Sequence, residues 1–216
     1  MTMRTPKAAD TSLYDDATLR FYSDEAPVYA ASGPGGASRH LAAFLDRLRP
    51  ASRILELGCG GGWDAEAMIR RSFVVDATDG SAEMARKAEA RIGQTVRVMR
   101  FDQLDAVEAY DGVWAHASLL HVPRRALPGV LALVFRALRP GGFHFASFKA
   151  GGIEGRDRFG RYFNYLAMPE LLELYRAATP WNIVAADKYL GGGYDGRQGP
   201  WAALTVRKPL ERASVG

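Results

Sequence analysis

The segment Ile54-Leu55-Glu56-Leu57-Gly58-Cys59-Gly60-Gly61-Gly62 constrains this chain more than any other. A short apolar run opens directly into glycines, and a helix-like stretch begins at Trp63. A buried strand that turns through glycine into a helix lets backbone approach a ligand closely and points helix N–H groups at it. Glycine patterns alone are shared by several nucleotide-binding folds. The spacing narrows them. A dinucleotide fingerprint beginning at Gly58 requires a glycine at position 63, which is Trp63. Glu56, two residues before the first glycine, would repel a pyrophosphate and suits a cationic amino group, met directly or through water. The turn favours a ligand that carries an amino acid.

Around this turn the chain alternates strand and helix. Strands are predicted over 53–57, 73–78, 95–101, 112–115 and 143–148, and helices over 63–71, 81–91 and 124–138. Ser81 reads as an N-cap, and the third of these helices carries the stripe Leu127, Val130, Leu131, Val134 and Leu138 before stopping at Arg139-Pro140-Gly141-Gly142. The alternation predicts right-handed crossovers and a doubly wound, Rossmann-like α/β fold. A helix over 169–177 is followed by strands near 183–189 and 201–207, joined by a glycine loop without a helix. That pair predicts an antiparallel last strand on a mostly parallel, seven-stranded sheet with helices on both faces. Upstream, 16–29 reads as an aromatic-rich helix and turn, Ser32-Gly33-Pro34-Gly35-Gly36 as a flexible break, and the stretch from Ser38 as a helix ending before Pro50. Residues 1–12 are expected to be a mobile tip, 13–210 a single domain, and 211–216 a tail.

The length of 216 residues suits one domain. A net charge of +4, from 28 Lys and Arg against 24 Asp and Glu, is scattered. It permits an anionic small substrate and argues against nucleic acid. A single cysteine, Cys59, excludes an internal disulfide and a multi-cysteine metal site, and no metal is expected. No run approaches the roughly 18 apolar residues that span a bilayer, and the first residues lack a signal-peptide core. The expectation is a cytoplasmic enzyme without a membrane partner, monomeric or homodimeric.

Asp79 ends the second predicted strand, where a carboxylate can accept both hydroxyls of a ribose or simply cap the turn Asp79-Gly80-Ser81. Four segments then fall in order: Leu55-Glu56-Leu57-Gly58-Cys59-Gly60-Gly61-Gly62, Asp79-Gly80-Ser81-Ala82-Glu83-Met84, Tyr110-Asp111-Gly112-Val113-Trp114, and Leu138-Arg139-Pro140-Gly141-Gly142. On these the chain resembles the class I S-adenosylmethionine-dependent methyltransferases, from about 53 to 148 with a compatible tail. The resemblance implies S-adenosylmethionine as cofactor and S-adenosylhomocysteine as product. It implies that Glu56, Gly58, Cys59, Gly60 and Gly62 hold the methionine end, and that Asp79 holds the ribose. It places Gly80, Ser81 and Met84 near the adenine, with Asp102 of Phe101-Asp102 bonding the adenine amino group. It sets His116, Ala117 and Ser118 along the methionine portion. It also implies that residues 13–50 form a helical lid, with Tyr22 or Tyr29 over the site and core packing as their other role.

After the fourth strand, Ala115-His116-Ala117-Ser118-Leu119-Leu120-His121-Val122-Pro123 offers His116 and His121 as general bases, each with a structural alternative. Methyl transfer by in-line displacement needs mainly alignment and desolvation, so a base is not obligatory. A candidate substrate loop covers 151–168. Its Arg156, Arg158 and Arg161 can grip a carboxylate or phosphate, and Tyr162 and Tyr165 can wall a pocket, with Tyr162 also a catalytic candidate. The bland alternative is a solvated charged loop pinned by its aromatics. If the arginines bind ligand, the acceptor is small and anionic. The leading expectation is methyl transfer to O, N or S of a small molecule. Beside it stand a tRNA or protein methyltransferase and a non-catalytic cofactor-binding module, while Trp63 and Glu56 disfavour a nicotinamide enzyme.

Overall fold

The structure, a computed structural model, describes residues 13–31 and 36–210. The expected tip over 1–12, most of the break at 32–36 and the tail at 211–216 lie outside the described residues.

Strand β1 (Arg53–Leu57) lies at the centre because it is apolar on both faces apart from Glu56. It pairs in parallel with β2 (Val74–Asp79) on one side and β4 (Tyr110–Ala115) on the other. With β3 (Arg97–Val98), β5 (Leu138–Lys149), β8 (Asn182–Gly191) and β9 (Gly199–Arg207), the sheet runs β3-β2-β1-β4-β5-β9-β8. Only β9 runs against its neighbours, pairing antiparallel with both β5 and β8. The doubly wound seven-stranded sheet is therefore the one expected.

Alternation along β1 sorts the core into two layers. Leu55 and Leu57 pack with α6 (Leu127–Ala137) and α7 (Met168–Ala178). Ile54 packs with α3 (Leu41–Leu45), α4 (Trp63–Arg70) and α5 (Ala82–Ile92), around Trp114 stacked 4.1 Å from Phe145. The chain reverses its winding between β1 and β4, which opens a crevice at their carboxyl ends.

Four local readings change. Strand β3 spans two residues, because Phe101–Gln103 tightens into a 3-10 turn. Strand β5 begins at Leu138, and the expected stop at Pro140-Gly141-Gly142 is absorbed as a register shift between Tyr110↔Leu138 and Gly112↔Phe143, with Gly141 at φ +83°. The aromatic segment forms two helices, α1 (Asp16–Asp24) and α2 (Ala26–Ala31), rather than a helix and a turn. Pro27 sits in the first turn of α2, where its missing N–H costs nothing. Within 151–168 a hairpin of β6 (Gly155–Arg156) and β7 (Tyr162–Phe163) is too short to show a period of two in sequence.

Candidate active site

The glycine turn follows β1 with Gly58, Gly60 and Gly62 at φ +73°, +55° and +79°. These left-handed values suit glycine, and at Gly58 a Cβ would also stand 2.7 Å from the Cβ of Ser118. The amides of Gly58 and Cys59 both donate to the Thr78 carbonyl at 2.9 Å, tying the turn to the end of β2. Asp79 completes the tie: its carboxylate accepts from Gly60 N and Ser81 N, each at 2.9 Å. The ribose position and the turn-capping position are thus one place. Burial raises the Asp79 carboxyl to about 6 against the pull of these amides.

A cavity opens over this turn. Gly58, Gly60, Asp79, Gly80 and Met84 form one wall, and Ala117, Ser118 and His121 the wall opposite. Phe101 closes one end, and Leu19, Tyr22 and Tyr29 of α1 and α2 close the top. Tyr14, Asp15, Thr18, Met99, Arg100 and Val122 also border it, none of them expected from the sequence. The signal for Tyr14 to Leu19 was present as the lid helix itself, and Met99 and Arg100 immediately precede Phe101.

Several expected residues stand off the cavity wall, each for a physical reason. Gly62 packs against α5, with its missing Cβ 3.2 Å from Ala88. Cys59 turns into the core beside α3, and burial raises its thiol well above the ordinary value. Ser81 is spent as the α5 N-cap, accepting from Met84 N at 3.2 Å. Asp102 is held by Arg100 at 3.1 Å rather than turned to the cavity. His116 lies against Trp114, 3.6 Å from Asp64. Tyr162 turns outward, its hydroxyl donating to Glu154 and accepting from Arg124 N. Tyr165 stacks on Phe163.

Two buried polar atoms beside the turn have no partner among the described residues: Glu56 Oε2 and Ser118 Oγ. Burial, with Asp64 and Asp79 nearby, raises the Glu56 carboxyl well above its ordinary value. An orphaned carboxylate among like charges is costly unless a cation joins it.

At the lid, the Tyr162 carbonyl can only accept, so His121 Nδ1 carries the proton at 2.6 Å and Nε2 accepts from the Tyr22 hydroxyl at 2.8 Å. Burial lowers His121 to about 3, keeping it neutral. Arg161 in turn donates to Tyr22 at 3.3 Å.

The arginines of the loop are engaged with the protein. Arg156 forks onto Asp15, the α1 N-cap, at 2.6 and 3.0 Å. Arg161 pairs with Asp157 at 2.7 Å, and Arg158 reaches the Asp195 carbonyl at 3.4 Å. With Tyr162 N donating to Thr18 Oγ1 at 2.8 Å, the hairpin clasps the lid. The Arg156 side chain is 49% exposed, so Arg156→Ala should cost under about 1 kcal/mol of stability. If the clasp limits opening, the same energy should speed S-adenosylhomocysteine release about fivefold. Stopped-flow displacement measures this, and an unchanged rate would show that the clasp does not gate the cavity.

Comparison with known proteins completes the assignment. A methyltransferase domain family model matches residues 54–142. An uncharacterized methyltransferase of Mycobacterium bovis is 32% identical over 143 residues, covering 57% of this chain and 73% of that protein. A ubiquinone biosynthesis O-methyltransferase of Xanthomonas campestris is 32% identical over 105 residues, 45% of this chain and 43% of its own. In fold, the chain matches the Burkholderia thailandensis 1,6-didemethyltoxoflavin-N1-methyltransferase solved with 1,6-didemethyltoxoflavin and S-adenosylhomocysteine. That TM-score is 0.72 at 23% identity, over 94% of this chain and 93% of the other. The glycine turn that rejected a dinucleotide thus has a sequence relative across most of a methyltransferase's length, and the chain belongs to the class I S-adenosylmethionine-dependent methyltransferases.

Proposed function

We propose that this enzyme methylates an O, N or S atom of a small molecule inside the lidded cavity. The observation that carries the reading is the lid itself. Leu19, Tyr22 and Tyr29 roof the cavity, and α1 is held down at Asp15, Thr18 and Tyr22 by the hairpin. An acceptor must fit beneath that roof, which disfavours a tRNA or a folded protein. The two characterised relatives described above act, by their names, on a ubiquinone precursor and a didemethyltoxoflavin.

In this reading Glu56 takes the cofactor ammonium, which satisfies its orphaned oxygen. The Asp79 carboxylate takes the ribose hydroxyls, and Met84 and Phe101 enclose the adenine. Ser118 Oγ, unpartnered beside Gly58, faces the methionine portion. Bound S-adenosylmethionine supplies an electrophilic methyl group on a sulfonium centre. The contribution of the chain is alignment and the exclusion of water. His121 is neutral and committed at both nitrogens, so its role is to orient Tyr22. His116, with Asp64 at 3.6 Å to stabilise its charged form, is the proton acceptor where the acceptor atom needs one.

The single cysteine suits a reducing compartment, and the cytoplasm is the proposed location. No helix among the described residues is long and apolar enough to cross a membrane. The test is transfer of labelled methyl from the cofactor into a fractionated metabolite extract. Labelled small products are expected. Label found only in tRNA or protein would overturn the acceptor class, and cofactor binding without any labelled product would favour a non-catalytic module.

A further inference from the structure

With the loop arginines engaged, one cation near the site stands apart. Lys149 ends β5 at the carboxyl edge of the sheet, where its backbone is fixed opposite Trp201 and Ala150 N donates to Pro200 O at 2.9 Å. Its ammonium is half-buried, 4.9 Å from the Phe163 ring centre and 5.9 Å from that of Trp201. Among the described residues no hydrogen bond or ion pair is made by this ammonium, and burial lowers its affinity for a proton. Three donors held against aromatic faces without an acceptor are an unfinished site.

Space for an acceptor exists beside it. A Cβ on Gly193 would lie 2.6 Å from Lys149 Nζ and 3.0 Å from Asp195 Oδ1, so glycine leaves room bordered by both charges. Phe163, which carries the ammonium on its face, lies 4.6 Å centre to centre from His121 on the cavity wall. The room therefore adjoins the cavity.

We propose that Lys149 anchors a carboxylate of the methyl acceptor, and that Asp195 receives a hydroxyl or ammonium donor of the same molecule. The acceptor class is then a small hydroxy- or amino-carboxylate. The inference rests on the small-molecule reading above and assigns anion recognition to β5 and the 192–196 loop instead of the arginines.

Calorimetry on the S-adenosylhomocysteine complex tests it, with malate, succinate and inorganic phosphate as probes. Malate should bind more tightly than succinate or phosphate. Lys149→Met should weaken malate binding about tenfold or more, the worth of one charge-assisted hydrogen bond. Lys149→Arg should retain part of the affinity, and Gly193→Ala should lose it by filling the room. None of the three should change S-adenosylhomocysteine affinity. Malate binding that is absent from the wild type, or unchanged in Lys149→Met, would overturn the inference and leave the methyl-transfer reading intact. Failure of S-adenosylhomocysteine itself to bind would overturn both.

Discussion

Replacing Asp79 with alanine is expected to weaken S-adenosylhomocysteine binding about a hundredfold, because two hydrogen bonds to a charged acceptor are lost together. Asp79→Asn, which keeps one acceptor oxygen but no charge, should fall between the two. The stability of the free enzyme should move the other way. The folded carboxyl titrates near 6, above its ordinary 3.8, so the folded state disfavours this charge. A raised acid contributes stability that is full below the unfolded value and is lost as pH rises through the folded one. Removing the charge with asparagine should therefore leave the free enzyme as stable as wild type or more so at pH 8. Ribose hydroxyls favour the ionised form, so wild-type affinity should fall as pH drops below about 6 and Asp79→Asn should flatten that dependence. Calorimetry across pH reads both effects, and an Asp79→Asn enzyme with wild-type affinity would remove Asp79 from the site.

Arg161→Ala should destabilise the fold by about 3–5 kcal/mol, the cost of breaking a buried ion pair from one side. Its side chain is 3% exposed and forks onto Asp157, whose side chain is 15% exposed. Five aromatic rings surround the guanidinium: Phe21 at 4.8 Å, Phe163 at 5.2 Å, Tyr194 at 5.4 Å, Phe159 at 5.5 Å and Tyr22 at 5.8 Å. They come from the lid, the hairpin and the loop before β9, so one cation joins three segments. The expected fall in Tm is roughly 10 °C. Thermal unfolding measures it beside Arg158→Ala, an exposed change in the same loop. Equal shifts for the two variants would show that the aromatic cage does not hold the lid.

The parallel core was legible because strands buried on both faces read as apolar runs between helical stripes. The glycine turn was legible for a similar reason: left-handed backbone and close approach leave a mark on the residue types that no distant contact alters. Asp79 and Glu56 keep fixed spacings from that turn, so covalent geometry alone brings them to the crevice.

The loop from 151 to 168 shows the limit. Its three arginines were readable as an anion site, yet Arg156 meets Asp15 from 141 residues away and Arg161 meets Tyr22 from 139 away. His121, a candidate base by its place after β4, is held neutral by Tyr22 and Tyr162. Lys149, readable only as the end of a strand, emerges beside the cavity. The sequence by itself determined the sheet, the turn and the class of cofactor, because these follow from local backbone preference and short spacings. The tertiary structure alone decided which charges are neutralised within the protein and which one stays available, because those pairings form between segments that meet only when the lid packs onto the sheet.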